Sequence, residues 1–255
     1  MQPETAINSW RLWDGELRSE PVILGPLSGG LSNHSFLLDS DGHKMVLRLN
    51  GTDSLLPSTN RSSESGIWQA ASDVGIAPPL LHVDDQNRFL ISTYIDNSLP
   101  SRPPFDETSI NQALGLLKRC HQLQVEASKI DYIRHIEQYW QRIENKAHTP
   151  NPSLNKQREP MKKLLEELMT SGTPTGLCHH DPVAANFVGN ADHLYLIDWE
   201  YAALGLPIMD YAALSVEWQI DDKKLLAQTN FEPELLSMAK SLYKYLCTLW
   251  EEVTE

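Results

Sequence analysis

Cysteine and positive charge are both scarce in this chain. Cys120, Cys178 and Cys247 are odd in number, widely separated and lack a CxxC pair. That excludes a disulfide framework and a thiolate zinc site. Lysine and arginine total 21 against 34 aspartates and glutamates, a formal charge of -13 over 255 residues. Nucleic acid needs a basic face for its phosphates, so that partner is not expected. An acidic chain instead favours a cationic small molecule near a local carboxylate cluster. No apolar segment is long enough to span a bilayer, and Met1-Gln2-Pro3-Glu4-Thr5 lacks the basic and apolar parts of a signal peptide. A cytoplasmic protein without a membrane partner is therefore expected. Repeats and low-complexity tracts are absent as well. The sequence leaves the oligomeric state open, a monomer included.

What is present points to a folded chain: 41% of residues are hydrophobic, with ample length for one large domain or two lobes. The first hundred residues are strand-rich. Val22-Ile23-Leu24, Ser35-Phe36-Leu37-Leu38, Met45-Val46-Leu47-Arg48-Leu49 and Phe89-Leu90-Ile91 are short β-prone runs. Asp39-Ser40-Asp41-Gly42 is a hairpin turn signal. One helix over 61–74 interrupts them, with Ile67, Ala70, Ala71 and Val74 on one face and a stop at Gly75. Residues 96–104 carry Pro100, Pro103 and Pro104 and read as a connector. Beyond it, Ile110 to Leu123, Met161 to Leu168 and Leu235 to Leu249 repeat apolar residues at helical spacing, as core-facing stripes. Residues 150–160 are polar and read as a loop. Three parts follow: 1–95, a connector 96–104, and a mainly helical 105–255.

The most informative segment is Cys178-His179-His180-Asp181-Pro182-Val183-Ala184-Ala185-Asn186-Phe187-Val188, followed by Leu194-Tyr195-Leu196-Ile197-Asp198-Trp199-Glu200. It contains H-x-D-x-x-x-x-N and then an Asp ending an apolar strand. Phosphoryl transfer from a nucleotide uses three such groups: a carboxylate that orients and deprotonates the attacking hydroxyl, and an amide and second carboxylate on the metal. Antiparallel pairing of the two short strands would bring Asn186 and Asp198 together as hard oxygen ligands for magnesium. Asp181 is the expected base, and His179 is expected to brace the turn rather than ionise. His180 is read as incidental. A rival transition-metal hydrolase site from His179, His180, Asp181 and His193 is disfavoured, because adjacent histidines on an extended chain point apart.

Other candidates gather around this motif. Gly29, Gly30, Ser32 and Asn33 form a turn between strands whose amides could cradle phosphates, although it matches neither a P-loop nor G-x-G-x-x-G. Arg48 sits in an apolar strand and needs a partner; Glu64 in the next helix is the expected one, as a pair anchoring nucleotide phosphates. Asp210 resembles a helix start, with a role in capping or holding the catalytic turn. Glu217 and Trp218, with Tyr201, Trp199 and Trp250, could cage a quaternary or aromatic cation.

Together, Gly29-Gly30-Leu31-Ser32-Asn33, Val46-Leu47-Arg48-Leu49, Glu64, Gly75-Ile76-Ala77-Pro78, the His179-to-Asn186 motif, Ile197-Asp198-Trp199-Glu200-Tyr201-Ala202 and Glu217-Trp218 resemble the choline/thiamine kinase branch of the aminoglycoside-phosphotransferase-like (APH) superfamily. The likeness runs from about Leu24 to Trp218, and the arginine at position 48 is itself typical of choline kinases. Tyr139-Trp140-Gln141 and the Ile-Asp-Trp-Glu-Tyr-Ala string are most similar to the bacterial thiamine kinases. The resemblance implies an α+β, bilobal protein-kinase-like fold, with an N-terminal antiparallel sheet lobe containing one helix and a larger helical lobe. It also implies ATP in the cleft with its adenine near Thr93, Tyr94 and Ile95, Mg²⁺ on Asn186 and Asp198, and Asp181 as base. The expected activity is ATP-dependent phosphorylation of a small cationic alcohol: thiamine first, choline or ethanolamine second. An aminoglycoside or sugar kinase would need a broader acidic face, for which Glu200, Glu217, Asp221 and Asp222 are the candidates. A kinase-shaped binding protein is the non-enzymatic alternative; all three motif residues being present argues against it.

Overall fold

Five strands make one antiparallel sheet in the first hundred residues: β1 (Val22–Leu27), β2 (Asn33–Ser40), β3 (His43–Asn50), β4 (Leu80–Val83) and β5 (Phe89–Thr93), in the order β1-β2-β3-β5-β4. The structure is a computed structural model describing residues 1–14, 17–27, 33–51, 61–97, 99–146, 151–190 and 192–254. Gly29, Gly30 and Ser32 lie outside these residues. The β2–β3 hairpin closes through Asp41 (φ 52°) and Gly42 (φ 86°), two left-handed residues in a row, the backbone a tight primed turn requires. β4 is an edge strand that the apolar runs named above did not include.

The sheet's two faces pack differently because side chains alternate along each strand. Met45, Leu47 and Leu49 of β3, with Leu38, Phe89 and Ile91, bury one face under Ala6, Ile7, Trp10 and Trp13. Those four come from helix α1 (Pro3–Ile7), the 3-10 turn Trp10–Leu12 and the residue after it. Arg48 and Leu90, register partners on β3 and β5, belong to the other set. Leu90 joins a larger core with Ile67, Trp68 and Ala71 of helix α2 (Arg61–Asp73). Val74, expected on the buried face of that helix, is 46% exposed, because the helix stops at Asp73 and the chain turns at Gly75 with φ 69°.

The rest is mainly helical. The helices are α3 (Glu107–Gln122), α4 (Tyr132–Asn145), α5 (Pro152–Thr170), α6 (Pro207–Glu217), α7 (Asp222–Gln228) and α8 (Pro233–Thr254). Asp106 caps α3 by accepting from the Ser109 amide at 2.7 Å, and Asp131 caps α4 from Arg134 at 2.9 Å. The loop expected over 150–160 is not a loop: from Pro152 onward those residues are the first half of α5. Asn151 accepts from the Ser153 amide, Pro152 occupies the first turn, and Pro160 sits inside the helix. Burial of Leu154, Leu165 and Leu168 along one stripe outweighs the hydrogen bond lost at Pro160, an override of local propensity by packing. No described helix is long and apolar enough to cross a membrane. Two small antiparallel pairs interrupt the helices: β6 (Gly176–Cys178) pairs with β9 (Ala203–Gly205), and β7 (Phe187–Gly189) pairs with β8 (Leu194–Leu196). The mixed α+β architecture, a sheet half beside a larger helical half, is the bilobal kinase-like arrangement expected, with the short α1 present in the sheet half in addition to the one helix expected there, α2.

Candidate active site

β6 delivers the chain into a turn gripped from below. The backbone amides of His179 and His180 both donate to Asp210, at 2.8 Å each, and His121 Nε2 lies 3.0 Å from the same carboxylate. Asp210 is not a helix start: α6 begins three residues earlier, at Pro207, and Asp210 lies in its first turn. Its carboxylate caps the catalytic turn instead of its own helix. Burial alone would raise Asp210's pKa, but the hydrogen bond and charge of His121, aided by His180 and His179, bring it down to about 2. His121, Cys178 and Asp210 bring ligand-type atoms within 4.8 Å of one another. Burial raises the pKa of the Cys178 thiol, and His121 and Asp210 are held to each other and to the turn by hydrogen bonds. His179 is fully buried, edge-on to Trp199 at 5.0 Å, with Nε2 donating to the Ile197 carbonyl at 3.0 Å.

This turn presents Asp181 to the β7–β8 hairpin. Phe187 pairs with Leu196, and the Ile197 amide donates to the Asn186 carbonyl, which draws Asn186 and Asp198 to the same end. Asn186 Nδ2 donates to Asp181 Oδ2 at 2.8 Å, leaving its own amide oxygen as the ligand atom of that group. Asp198 adopts a left-handed backbone (φ 64°, ψ 65°), a conformation Asp tolerates better than most residues. Burial raises the Asp181 pKa to about 6; Asp198 and Glu200 add to the rise, against His179 and the Asn186 hydrogen bond.

The sheet half reaches this centre from above. Arg48 pairs with Glu64 at 2.6 Å and with Asp198 Oδ1 at 3.2 Å. Burial opposes its charge, but Glu64, Asp198 and Glu200 outweigh that and raise its pKa. Asn33 donates to Glu200 Oε2 at 3.1 Å and to Asp198 Oδ1 at 3.5 Å, so it ties the start of β2 to the carboxylates. Of the expected adenine contacts, the Thr93 amide is committed to Pro79 and the Tyr94 amide to Lys44. A base at this edge would therefore meet carbonyl oxygens or Ile95 rather than those two N–H groups.

Asp181, Asn186, Asp198 and Glu200 line a cavity of about 700 Å³. The same cavity is lined by aromatic, acidic and apolar side chains: Tyr139, Tyr201, Glu217, Tyr243, Leu246 and Trp250. Tyr243 Oη donates to Glu217 Oε1 at 2.8 Å, which fixes the carboxylate. Trp218, expected in the cage, is core instead. It is 1% exposed, stacked on Phe105 at 4.0 Å and edge-on to Phe187 at 5.0 Å. Trp199 is likewise enclosed against His179. His193 is exposed on the hairpin, apart from His179 and His180. Asp221 caps α7 and Asp222 pairs with Lys240, so neither extends the acidic face into the cavity.

Sequence reasoning missed Tyr139, Tyr243 and His180. Positions 243, 246, 247 and 250 follow an i, i+3, i+4, i+7 stripe beside the core stripe of α8, a signal that was present but overlooked. His180 is not incidental: both its ring nitrogens are bonded, Nε2 to Tyr132 Oη at 2.9 Å and Nδ1 to the Tyr201 carbonyl at 3.1 Å. The chain does not stay extended there; His180 has φ 64°.

A family model described as the phosphotransferase enzyme family, APH, matches residues 24–236. The chain belongs to that family. Among curated members, a thiamine kinase of Shigella boydii serotype 4 is 30% identical over 198 residues, 74% of this chain and 65% of the relative. The match thus spans just under two thirds of that relative's length. A thiamine kinase of Escherichia coli O1:K1 / APEC is 29% identical over 234 residues, 89% of this chain and 74% of the relative. Among solved structures, a choline/ethanolamine kinase family protein from Mesorhizobium loti superposes with a TM-score of 0.75 at 21% identity, covering 98% of this chain and 85% of that one. The choline kinase LicA from Streptococcus pneumoniae gives 0.73 at 22% identity, covering 91% and 86%. At such identities these two structures establish the shared phosphotransferase-family fold.

Proposed function

We propose that this chain is an ATP- and magnesium-dependent kinase that phosphorylates the hydroxyl of a small cationic alcohol, with thiamine the first choice and choline or ethanolamine the second. The observation that carries the reading is one cavity lined both by a carboxylate–amide cluster and by a carboxylate with several aromatic side chains. The curated thiamine kinases and the AMP complex of LicA support the same reading. Residues 1–95 would supply the nucleotide side and 105–255 the catalytic and acceptor side.

The donor set fits a hard divalent cation. Asp181, Asp198 and Glu200 crowd negative charge together, and Arg48 beside them is already paired with Glu64. Asn186 and Asp198 would hold magnesium, which when bound neutralises phosphate charge. Arg48, kept charged by its neighbours, would meet the phosphates from the sheet side. Asp181 would orient the acceptor hydroxyl and take its proton as the oxygen bonds the γ-phosphorus and the bridging oxygen leaves with ADP. Glu217, steadied by Tyr243, would hold the acceptor's cation among Tyr201, Tyr139 and Trp250.

The test is purified protein with ATP and Mg²⁺ against thiamine, choline, ethanolamine, aminoglycosides and hexosamines. Transfer to a cationic alcohol is expected. Transfer only to aminoglycosides or hexosamines, or to none of the panel, would refute the reading.

A further inference from the structure

His180 occupies an unusual position. It lies between the histidine that braces the turn and the aspartate that faces the acceptor, on a left-handed backbone. Its side chain is held at both nitrogens. The Tyr201 oxygen is a carbonyl and can only accept, so Nδ1 carries the proton and Nε2 is the acceptor. Tyr132 Oη then donates to Nε2 and itself accepts from the Leu206 amide at 3.0 Å. The result is one directed chain of hydrogen bonds: Leu206 N–H to Tyr132 Oη–H to His180 Nε2, and His180 Nδ1–H to the Tyr201 carbonyl. Burial lowers the His180 pKa, consistent with the neutral ring this chain requires.

The chain crosses four elements. Tyr132 opens α4, His180 is in the catalytic turn, Tyr201 is in the 3-10 turn Trp199–Tyr201, and Leu206 precedes α6. Asp181, Tyr132, His180 and Tyr201 all line the cavity. Asp181 and Tyr201 are therefore both tied to one residue, Asp181 by the adjoining peptide and Tyr201 by the hydrogen bond from its carbonyl to the imidazole. Gly205 supplies a third, independent observation. A Cβ there would lie 2.5 Å from Tyr132 Oη and 2.6 Å from His180 Nε2, so the pair occupies space that only glycine leaves open.

We propose that His180 and Tyr132 are positioning residues that set the distance between the Asp181 carboxylate and the Tyr201 wall of the acceptor cavity, with Gly205 as the space they require. The proposal rests on the kinase reading, since its consequence is alignment of the acceptor hydroxyl. Neither ring touches a reacting atom. Misplacement by about 1 Å costs on the order of 10²-fold in rate, so the effect belongs in turnover rather than in nucleotide affinity.

Four variants and one spectrum test it. Tyr132→Phe and Gly205→Ala are each expected to lower kcat about 10- to 100-fold, with the KM for ATP unchanged and circular dichroism retained. His180→Ala is expected to do the same, and adding Tyr132→Phe to it should lower kcat no further, since one chain is already broken. His180→Asn tolerates the left-handed backbone and can still donate to Tyr201, so it should recover part of the loss. Independently of activity, the ¹⁵N spectrum of the histidine rings should show His180 neutral with its proton on Nδ1, and Tyr132→Phe should shift its Nε2 resonance. Wild-type kcat in folded Tyr132→Phe, additive losses in the double variant, or a proton on Nε2 would each overturn the proposal. Failure of the wild type to phosphorylate any acceptor would count against the kinase reading, and the ring spectrum would then decide the positioning pair by itself.

Discussion

Asp181 and Asp210 both border the cavity at the same turn, Asp181 on its floor and the fully buried Asp210 in a lower layer, and the two are treated in opposite ways. Asp210, in the lower layer, receives two backbone amides and faces His121, and its pKa falls to about 2. Asp181, on the floor, has Asn186 for a partner but also Asp198 and Glu200 nearby, and its pKa rises to about 6. One carboxylate is satisfied and fixes the backbone. The other is crowded by like charge, which suits the proton-accepting role proposed for it.

Removing the anchor should have the larger effect. Asp210→Ala leaves two buried amides and His121 without their acceptor and is expected to cost about 3–5 kcal/mol in denaturant unfolding. A loss below about 1 kcal/mol would erase the contrast between the layers. Next come the floor residues. Asp181→Ala and Asp198→Ala should each reduce turnover at least ~10²-fold while circular dichroism is unchanged. Near-wild-type ATP consumption with the correct acceptor, by either variant, would remove them from the mechanism.

The pH dependence of stability separates the two carboxylates by sign. In the metal-free protein, folding favours protonated Asp181, so its contribution is present below pH 3.8 and lost as pH rises to about 6. Asp181→Asn should therefore raise the melting temperature at pH 8 and converge with the wild type below pH 4. Asp210 runs the other way: its contribution is present above pH 3.8 and lost as pH falls toward 2. Equal melting temperatures for Asp181→Asn and wild type at pH 8 would contradict the crowding seen around Asp181.

The smallest effect on activity belongs to the proposed acceptor side. Glu217→Gln should raise the KM for a cationic acceptor about 10-fold with kcat little changed, the pattern of lost ground-state binding. Trp218→Ala should instead lose about 3–5 kcal/mol of stability without that selective KM change, because Trp218 packs on Phe105 and Phe187. A selective KM rise in Trp218→Ala would return that tryptophan to the cage.

The cluster of Asp181, Asn186 and Asp198 was readable because its residues are close in sequence and the hairpin folds them together. Asp181, Asn186 and Asp198 span eighteen positions, and one strand pairing sets their geometry. Arg48 and Glu64 could be paired because a lone cation in an apolar strand demands a partner. The acceptor end draws on α4, the 3-10 turn, α6 and α8, so which aromatic faces the cavity depends on helix rotation, and Trp218 and Tyr243 could not be told apart by type. Most strands and long helices followed from periodicity. The first half of α5 did not, since Leu154 anchors a helix whose polar, proline-bearing sequence resembles a loop. His180 was misread because an extended chain was assumed where the backbone is left-handed.

The tryptophans divide between two cores, which gives each core its own intrinsic fluorophore. Trp10 and Trp13 sit behind the sheet, Trp68 of α2 joins Trp140, Trp199 and Trp218 in the larger core that both halves build, and Trp250 borders the cavity. Emission from single-tryptophan variants would follow the loosening of one core while the other is still packed, and a change in emission at position 250 would report occupancy of the cavity.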